Sequence, residues 1–282
     1  MVTPETAVRV TQAERFRMDA GGAESNVAAH VAALGHHAEW FSALGADALG
    51  DRVLAQLRAR GVDTARVVRD DAHPAGLYVK DPGHGVAYYR AGSAASHLSP
   101  DDADALSLAG VDLIHLSGIT AAISFSAAAF LDRVIDRARD AGVPVSFDIN
   151  HRAALWSAAA AASALAALAR RADLLFTGRD EAETLWGTER DDDIRALFPD
   201  VAELVVKDGD VGATVYADGR RVFAPALRVE VVEAVGAGDA FAGGYVAARL
   251  SGEEPEERLR AGHRRAALTL RTTGDFVEEG ML

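Results

Sequence analysis

Two glycines and an acid follow one another in Val235-Gly236-Ala237-Gly238-Asp239, just ahead of Ala240 to Leu250, a run that reads as a helix. The first amides of a helix lack intrahelical acceptors and sit at the positive end of its dipole, so such a turn can hold an anion such as phosphate. Gly236 and Gly238 allow the backbone to approach a ligand where a side chain would block it. A carboxylate beside phosphate would repel it unless it faced a hydroxyl attacking phosphorus. Asp239 would then be the base of a phosphoryl transfer. The residues alone leave a second reading open, in which Asp239 only caps a helix after a glycine turn.

The elements around this stretch must bring partners to it. Val229 to Glu233 alternates apolar and acidic residues and reads as the strand that delivers the turn. Upstream, the strands Val111 to Ile119, Val143 to Asn150, Asp173 to Phe176 and Leu204 to Lys207 alternate with helices over 124–141, 153–169 and 180–187. That alternation implies right-handed crossovers and a mostly parallel sheet covered on both faces, an α/β fold. Ligands in such sheets sit at the carboxyl ends of the strands. The candidates fall there: Ser117-Gly118-Ile119, Asp148 with Asn150 and Arg152, Thr177, Lys207 and Asp239. Lys207-Asp208-Gly209-Asp210-Val211-Gly212 reads as a tight turn leading into Thr214-Val215-Tyr216.

Earlier in the chain, Gly21-Gly22-Ala23-Glu24-Ser25-Asn26 opens a helix that runs to about Gly35, and a glycine pair there can bring backbone close to a small ligand. Residues 5–18 alternate enough to form a strand, and 76–92 read as a hairpin turning at Pro82-Gly83-His84. The hairpin ends in Tyr88-Tyr89-Arg90, where a planar guanidinium beside phenols could clamp a carboxylate or simply lie on the surface.

Composition narrows the partners. With 282 residues, 49% of them hydrophobic, the chain can bury one large core. A formal net charge of −13 with no basic cluster argues against nucleic acid and anionic membrane. The absence of cysteine excludes disulfides, thiolate metal sites and a cysteine nucleophile. Ala153 to Ala169 is apolar by count, but alanine forms helices well and is only weakly hydrophobic, so a packed helix is expected rather than a membrane span. Met1 to Thr6 shows no signal-peptide pattern, and a cytoplasmic location is expected.

The stretch 235–244 resembles the C-terminal signature of the PfkB, or ribokinase-like, carbohydrate kinases, and Gly21 to Asn26 resembles the N-terminal one. The resemblance runs from about Gly21 to Asp275. It implies a single three-layer α/β/α domain with a small β lid formed by about 5–18 and 76–92. Such lids often pair subunits, so a homo-oligomer is expected. Within the family, Gly21 to Glu24, Tyr88 to Arg90, His115 to Ile119 and Asp148 to Arg152 with Leu155-Trp156 are most similar to 2-keto-3-deoxygluconate kinases. That resemblance implies ATP and Mg²⁺, with Asp239 as base and the amides of Gly236, Ala237 and Gly238 as the anion hole. It implies substrate contacts at Gly22, Asn26, Tyr88, Arg90, Ile119, Arg152 and Asp275. The nucleotide is expected along Lys207, Gly209, Gly212, Gly236, Gly238 and His263.

Two departures stand out. The family's Asn-x-x-Glu appears as Gly178-Arg179-Asp180-Glu181, which keeps Glu181 for an indirect metal role. Glu233-Ala234 replaces the usual Asp-Thr or Asp-Pro, which leaves a monovalent-cation site in doubt. A kinase of another sugar (ribose, fructose or a nucleoside) and a sugar- or nucleotide-binding homologue with impaired catalysis are the alternatives.

Overall fold

Leu174, Leu175 and Phe176 are all fully buried, yet they belong to two different cores. Successive side chains on a strand point to opposite faces, so an unbroken apolar run means a strand covered on both sides. Leu175 joins Leu116, Phe147, Leu204 and Val206 in one core, with Phe130, Leu131 and Leu165 packed over them. Leu174 and Phe176 join Val205 and Val215 in the other, under Val27, Phe241, Tyr245 and Leu259. Three layers follow directly from that split. Truncating a side chain such as Phe176 to alanine would cost about 3–5 kcal/mol, through lost transfer energy and the cavity left behind.

The computed structural model describes residues 1–6 and 8–276. In chain order, β1 (Val2–Pro4) and β2 (Phe16–Met18) precede α1 (Ala23–Ala33), β3 (Ala38–Glu39), β4 (Ala43–Gly45), α2 (Ala48–Ala59), β5 (Val62–Asp63) and β6 (Val68–Asp70). The hairpin of β7 (Leu77–Asp81) and β8 (Gly85–Tyr89) follows, then α3 (Pro100–Ala105), β9 (Ile114–Ser117), α4 (Gly118–Ile123) and α5 (Phe125–Ala141). Next come β10 (Val145–Asp148), α6 (Ala158–Ala169), β11 (Leu174–Gly178), α7 (Arg179–Trp186) and α8 (Asp191–Leu197). The meander β12 (Glu203–Asp208), β13 (Gly212–Ala217) and β14 (Arg220–Pro225) leads to α9 (Ala237–Leu250) and α10 (Pro255–Leu270).

The main sheet has the order β14-β13-β12-β11-β10-β9. From β9 to β12 the pairing is parallel, with Phe147 opposite both Leu116 and Leu175; β13 and β14 are added antiparallel. The expected parallel sheet is therefore present, with a meander at one edge. Short parallel pairs, β3 with β5 and β4 with β6, lie outside it. A smaller sheet has the order β2-β1-β7-β8. Among the described residues no helix is long and apolar enough to cross a membrane, and α6 spans only Ala158–Ala169.

Two expected strands are absent or displaced. Residues 8–15 carry no strand: the amides of Gln12 and Ala13 donate to the Arg9 carbonyl, and Val10 donates to Asp81 at the end of β7. The strands of that region are 2–4 and 16–18, paired with each other. Val229 to Glu233 is not a strand either. Val231 and Val232 are each 57% exposed, and the Val232 and Glu233 amides both donate to the single carbonyl of Leu270 at the end of α10. Alternation there marks a loop pinned at one point, because among the described residues no strand pairs with it.

Candidate active site

Gly236 has φ +89°, a left-handed conformation that glycine adopts without strain, and it is the N-cap of α9. Space adds a second demand on it, because a Cβ at Gly236 would lie 3.0 Å from the Asp275 Cα. The chain thus enters α9 in one tight turn, and Asp239 becomes the third residue of the helix rather than its cap. Within that turn the Ala237 amide donates to the Ala234 carbonyl at 3.2 Å. Gly238 is exposed, and the Lys207 Nζ lies 3.7 Å from the position of a Cβ there.

The Asp239 carboxylate accepts one hydrogen bond, from the Asn26 amide at 2.8 Å. Asn26 is 2% exposed, and its Oδ1 is buried with no protein partner. Its side-chain hydrogen bond is therefore with Asp239. Burial pushes the Asp239 pKa up to about 7, and the charges of Asp148 and Asp275 add to the rise; the Asn26 bond and Arg152 oppose it. A carboxylate poised near neutrality suits a proton acceptor.

The strand ends of the sheet converge on this turn. Lys207, on β12, pairs with Asp148, at the end of β10, at 2.8 Å. Burial works against the Lys207 charge, but Asp148 and Glu181 outweigh it and raise the ammonium's pKa. The other Asp148 oxygen is buried and unpartnered. Glu181, on the first turn of α7, accepts from the amides of His151 at 2.5 Å and Gly178 at 3.1 Å and from the Thr177 hydroxyl at 3.3 Å. Burial, and then the Asp148 charge, raise its pKa. With its oxygens so engaged, Glu181 fits an indirect part in metal binding better than a direct one.

At the other side of the turn, the Arg90 guanidinium stacks on the Tyr88 ring at 4.1 Å, while its Nε and one Nη are buried without partners. Burial lowers the Arg90 pKa, and Arg152 is among the charges that act on it. Arg152 itself is exposed and donates to the His151 carbonyl at 3.0 Å. Gly22 caps α1 and Ile119 lies on the first turn of α4. Glu24 accepts from the hydroxyls of Ser117 and Thr120, both at 2.8 Å, and so ties the start of α1 to the start of α4 around Ile119. Asp275 is 3% exposed and held by Tyr78 at 2.5 Å and Lys80 at 2.6 Å.

Gly209 and Gly212 both have positive φ in the turn between β12 and β13, and a Cβ at Gly212 would meet the Ala224 carbonyl at 2.4 Å. His263 departs from the expected nucleotide surface. It is 7% exposed, with Nε2 at 3.1 Å from the Ala224 carbonyl and its ring edge-on to Phe241, and burial lowers its pKa. A nucleotide contact there would require breaking the packing between α10 and β14.

Several residues here had no local signature. Tyr78 and Lys80 are recognisable only through a partner far along the chain, and while Asp148 and Lys207 were expected at strand ends, their pairing with each other was not. Gly21 had one, being half of a glycine pair, but its spatial reason is distant: a Cβ there would lie 2.1 Å from the Tyr78 hydroxyl.

The sequence model of the "pfkB family carbohydrate kinase" matches residues 2–277. The chain belongs to that family. It is a carbohydrate kinase. A 2-dehydro-3-deoxygluconokinase of Thermoproteus tenax is 34% identical over 270 residues, covering 92% of this chain and 82% of that one. Another from Bacillus subtilis is 35% identical over 272 residues, covering 93% and 83%. The crystal structure of a 2-dehydro-3-deoxygluconokinase from Thermotoga maritima superposes with a TM-score of 0.90 at 26% identity, covering 98% of this chain and 92% of that one. The ribokinase-like fold is thereby shared along nearly the whole chain.

Proposed function

We propose that this kinase transfers a phosphoryl group from ATP to a hydroxyl of 2-keto-3-deoxygluconate, the sugar acid also called 2-dehydro-3-deoxygluconate. The observation that carries the choice of an acid is Arg90, whose fork of donors is held flat against Tyr88 with two nitrogens buried and unpartnered. Leaving buried cationic donors unmatched is costly, and a ligand carboxylate is the group that matches them in charge and shape. Arg152, near enough to act on Arg90, adds a second positive charge at that end. Glu24 is a carboxylate whose charge acts on Arg90, and a neutral sugar would still leave the two buried Arg90 nitrogens without a charged acceptor. The names of the 34–35% identical relatives favour the same acid.

In this reading Asp239 takes the proton of the attacking hydroxyl. A carboxylic acid is far stronger than a sugar hydroxyl, so the transfer accompanies bond formation to phosphorus rather than preceding it. The α9 turn at Gly236 to Gly238 and the Lys207 ammonium beside it meet the charge carried by the migrating group. Arg90, Arg152, Gly22 and Ile119 would orient the sugar acid so that the hydroxyl faces the phosphate in line. The nucleotide would lie over the Gly209 to Gly212 turn. Val211 and Leu227, each at least 50% exposed and joined near that turn by the bond from the Ala226 amide to the Val211 carbonyl, would offer apolar surface there for the base.

A buried, unpartnered Asp148 oxygen and the Glu181 carboxylate behind it suit a divalent cation whose remaining ligands are water and phosphate. Mg²⁺ would supply charge neutralisation on the phosphates. We read the small sheet as a lid over the sugar and its outward face, with Phe16 40% and Tyr89 65% exposed, as the place where a second copy docks. Its location is proposed to be the cytoplasm.

The test is a coupled assay for ADP release with ATP·Mg²⁺ and each of 2-keto-3-deoxygluconate, fructose, ribose and adenosine. Turnover on the acid at a kcat/KM at least a hundredfold above the others is expected. Equal or better use of a neutral sugar would refute the acid specificity, and no turnover on any of them would favour a binding protein that has lost catalysis.

A further inference from the structure

Lys80 and Asp275 form an ion pair at 2.6 Å in which each side chain is only 2% exposed. Lys80 lies on β7, two positions from Tyr78 and therefore on the same face of the strand. The Tyr78 hydroxyl donates to the other Asp275 oxygen at 2.5 Å, and burial together with the Asp275 charge keeps the phenol protonated for that role. The Lys80 ammonium also lies 3.4 Å from the Thr273 carbonyl. One strand of the small sheet thus grips a single carboxylate with both of its donors.

That carboxylate stands between the two glycine turns of the site. Asp275 backs onto the Gly236 turn, which has no room for a Cβ, and the Tyr78 hydroxyl fills the space beside Gly21. A buried ion pair seldom stabilises a fold more than apolar side chains of the same volume would. What the pair adds is direction: the Tyr78 hydroxyl's charge-assisted bond orients one oxygen and the Lys80 ammonium holds the other by its charge, as packing does not. We infer that Lys80 is a positioning residue for phosphoryl transfer: through Asp275 it seats the Gly236 turn, so that the small sheet and the start of α9 are set as one piece. The inference rests on reading Asp239 and the Gly236 turn as the transfer site.

The experiment compares wild type, K80M, D275N and K80M/D275N in the full-length kinase, on whichever sugar the wild type uses best. Each is assayed well below its own Tm, with folding checked by circular dichroism. The expected result is a loss of at least tenfold in kcat/KM for the sugar in K80M, with the KM for ATP·Mg²⁺ within twofold of wild type. K80R, which keeps the charge, should recover part of that loss. Because Lys80 acts through Asp275, K80M/D275N should be no worse than D275N within threefold. A K80M protein that has a lower Tm but normal kcat/KM would overturn the inference, as would losses that multiply in the double variant. If K80M does not fold, D275N against K80M/D275N decides alone, since neither combines a buried carboxylate with a missing cation. Wild-type preference for a neutral sugar would defeat the acid reading and leave this comparison intact.

Discussion

Two carboxylates, Glu203 in the interior and Asp239 in the candidate site, are treated by the chain in opposite ways. Glu203 opens β12 and is 6% exposed, yet it receives Arg249 and Arg258 at 2.8 Å each and the Tyr245 hydroxyl as well. Burial alone would raise its pKa, but the bonds from Tyr245, Arg249 and Arg258 outweigh it and the pKa is lowered. Asp239, on the first turn of α9, receives one neutral amide, and its pKa is pushed up to about 7. A carboxylate that must stay charged as a strut is hydrogen-bonded by cations; the one that must accept a proton is hydrogen-bonded by a neutral amide, with Arg152 and Lys207 acting on it only through their charge.

The largest expected effect comes from removing the second group. D239N should lower kcat by about 10³ to 10⁴, the upper part of what general-base catalysis contributes, with KM for either substrate changed little. The stability effect runs the other way. The folded-state pKa of about 7 stands above the model value of 3.8. Between those values the folded protein holds more protons than the unfolded chain, so Asp239 lowers stability as pH rises through that window. D239N should therefore raise Tm at pH 8 and leave it nearly unchanged at pH 4, as calorimetry at the two pH values would read. A lower Tm at pH 8 would place Asp239 with Glu203, as a strut.

Arg90 comes next. Alanine there should cost about a hundredfold in kcat/KM for a sugar acid, roughly the worth of a bidentate charged hydrogen bond, mostly as a raised KM. R90K should recover only part, because an ammonium cannot present the planar fork. The same variants assayed on a neutral sugar should show much smaller changes, and an equal loss on both would mean that Arg90 shapes the site without binding a carboxylate.

Glu203 supplies the reverse case. E203A strands Arg249 and Arg258 without their shared partner, which should cost about 3–5 kcal/mol and lower Tm by roughly 5–8 °C for a chain of this size. Its kcat at 25 °C should match wild type. Since the folded pKa of Glu203 lies below its model value of 4.5, its stabilisation is present above about pH 4.5 and fades as the pH falls through the depressed pKa. The Tm difference between E203A and wild type should shrink accordingly in acid, and a constant difference would show that packing, not charge, is lost.

The catalytic half of this contrast was far more legible in the sequence than the structural half. Gly236 to Asp239 are contiguous, and Lys207 and Asp148 are read as strand ends once short apolar runs such as Leu174 to Phe176 are seen to alternate with helices, as strands covered on both faces do. Glu203 carried no such signal: its partners lie 42, 46 and 55 residues away and belong to helices whose docking no local pattern records. The same reason hid Lys80, whose partner is Asp275. Where local pattern misled, a partner was missing. Val229 to Glu233 alternates like a strand, but among the described residues its amides bond only the Leu270 carbonyl, and His263, expected along the nucleotide, has its Nε2 against the Ala224 carbonyl.

The smallest effect sharpens the comparison most, because it alters the field at Asp239 without touching Asp239. Free-enzyme kcat/KM should rise with pH through an apparent pKa near 7, as the base loses its proton. Asp148 is one of the charges that raise that value, and its partner Lys207 is the cation beside Gly238. D148N removes the negative charge and frees the ammonium from its ion pair, and both changes favour the ionised form of Asp239. The rising limb should move to lower pH by about half a unit, or roughly 0.7 kcal/mol, whatever happens to the plateau. Burial remains the larger cause, so the limb should still lie well above pH 4. A limb that stays put in D148N would mean that desolvation alone sets the base, and a limb that falls to the range of an exposed aspartate would mean that neighbouring charge, not burial, separates Asp239 from Glu203.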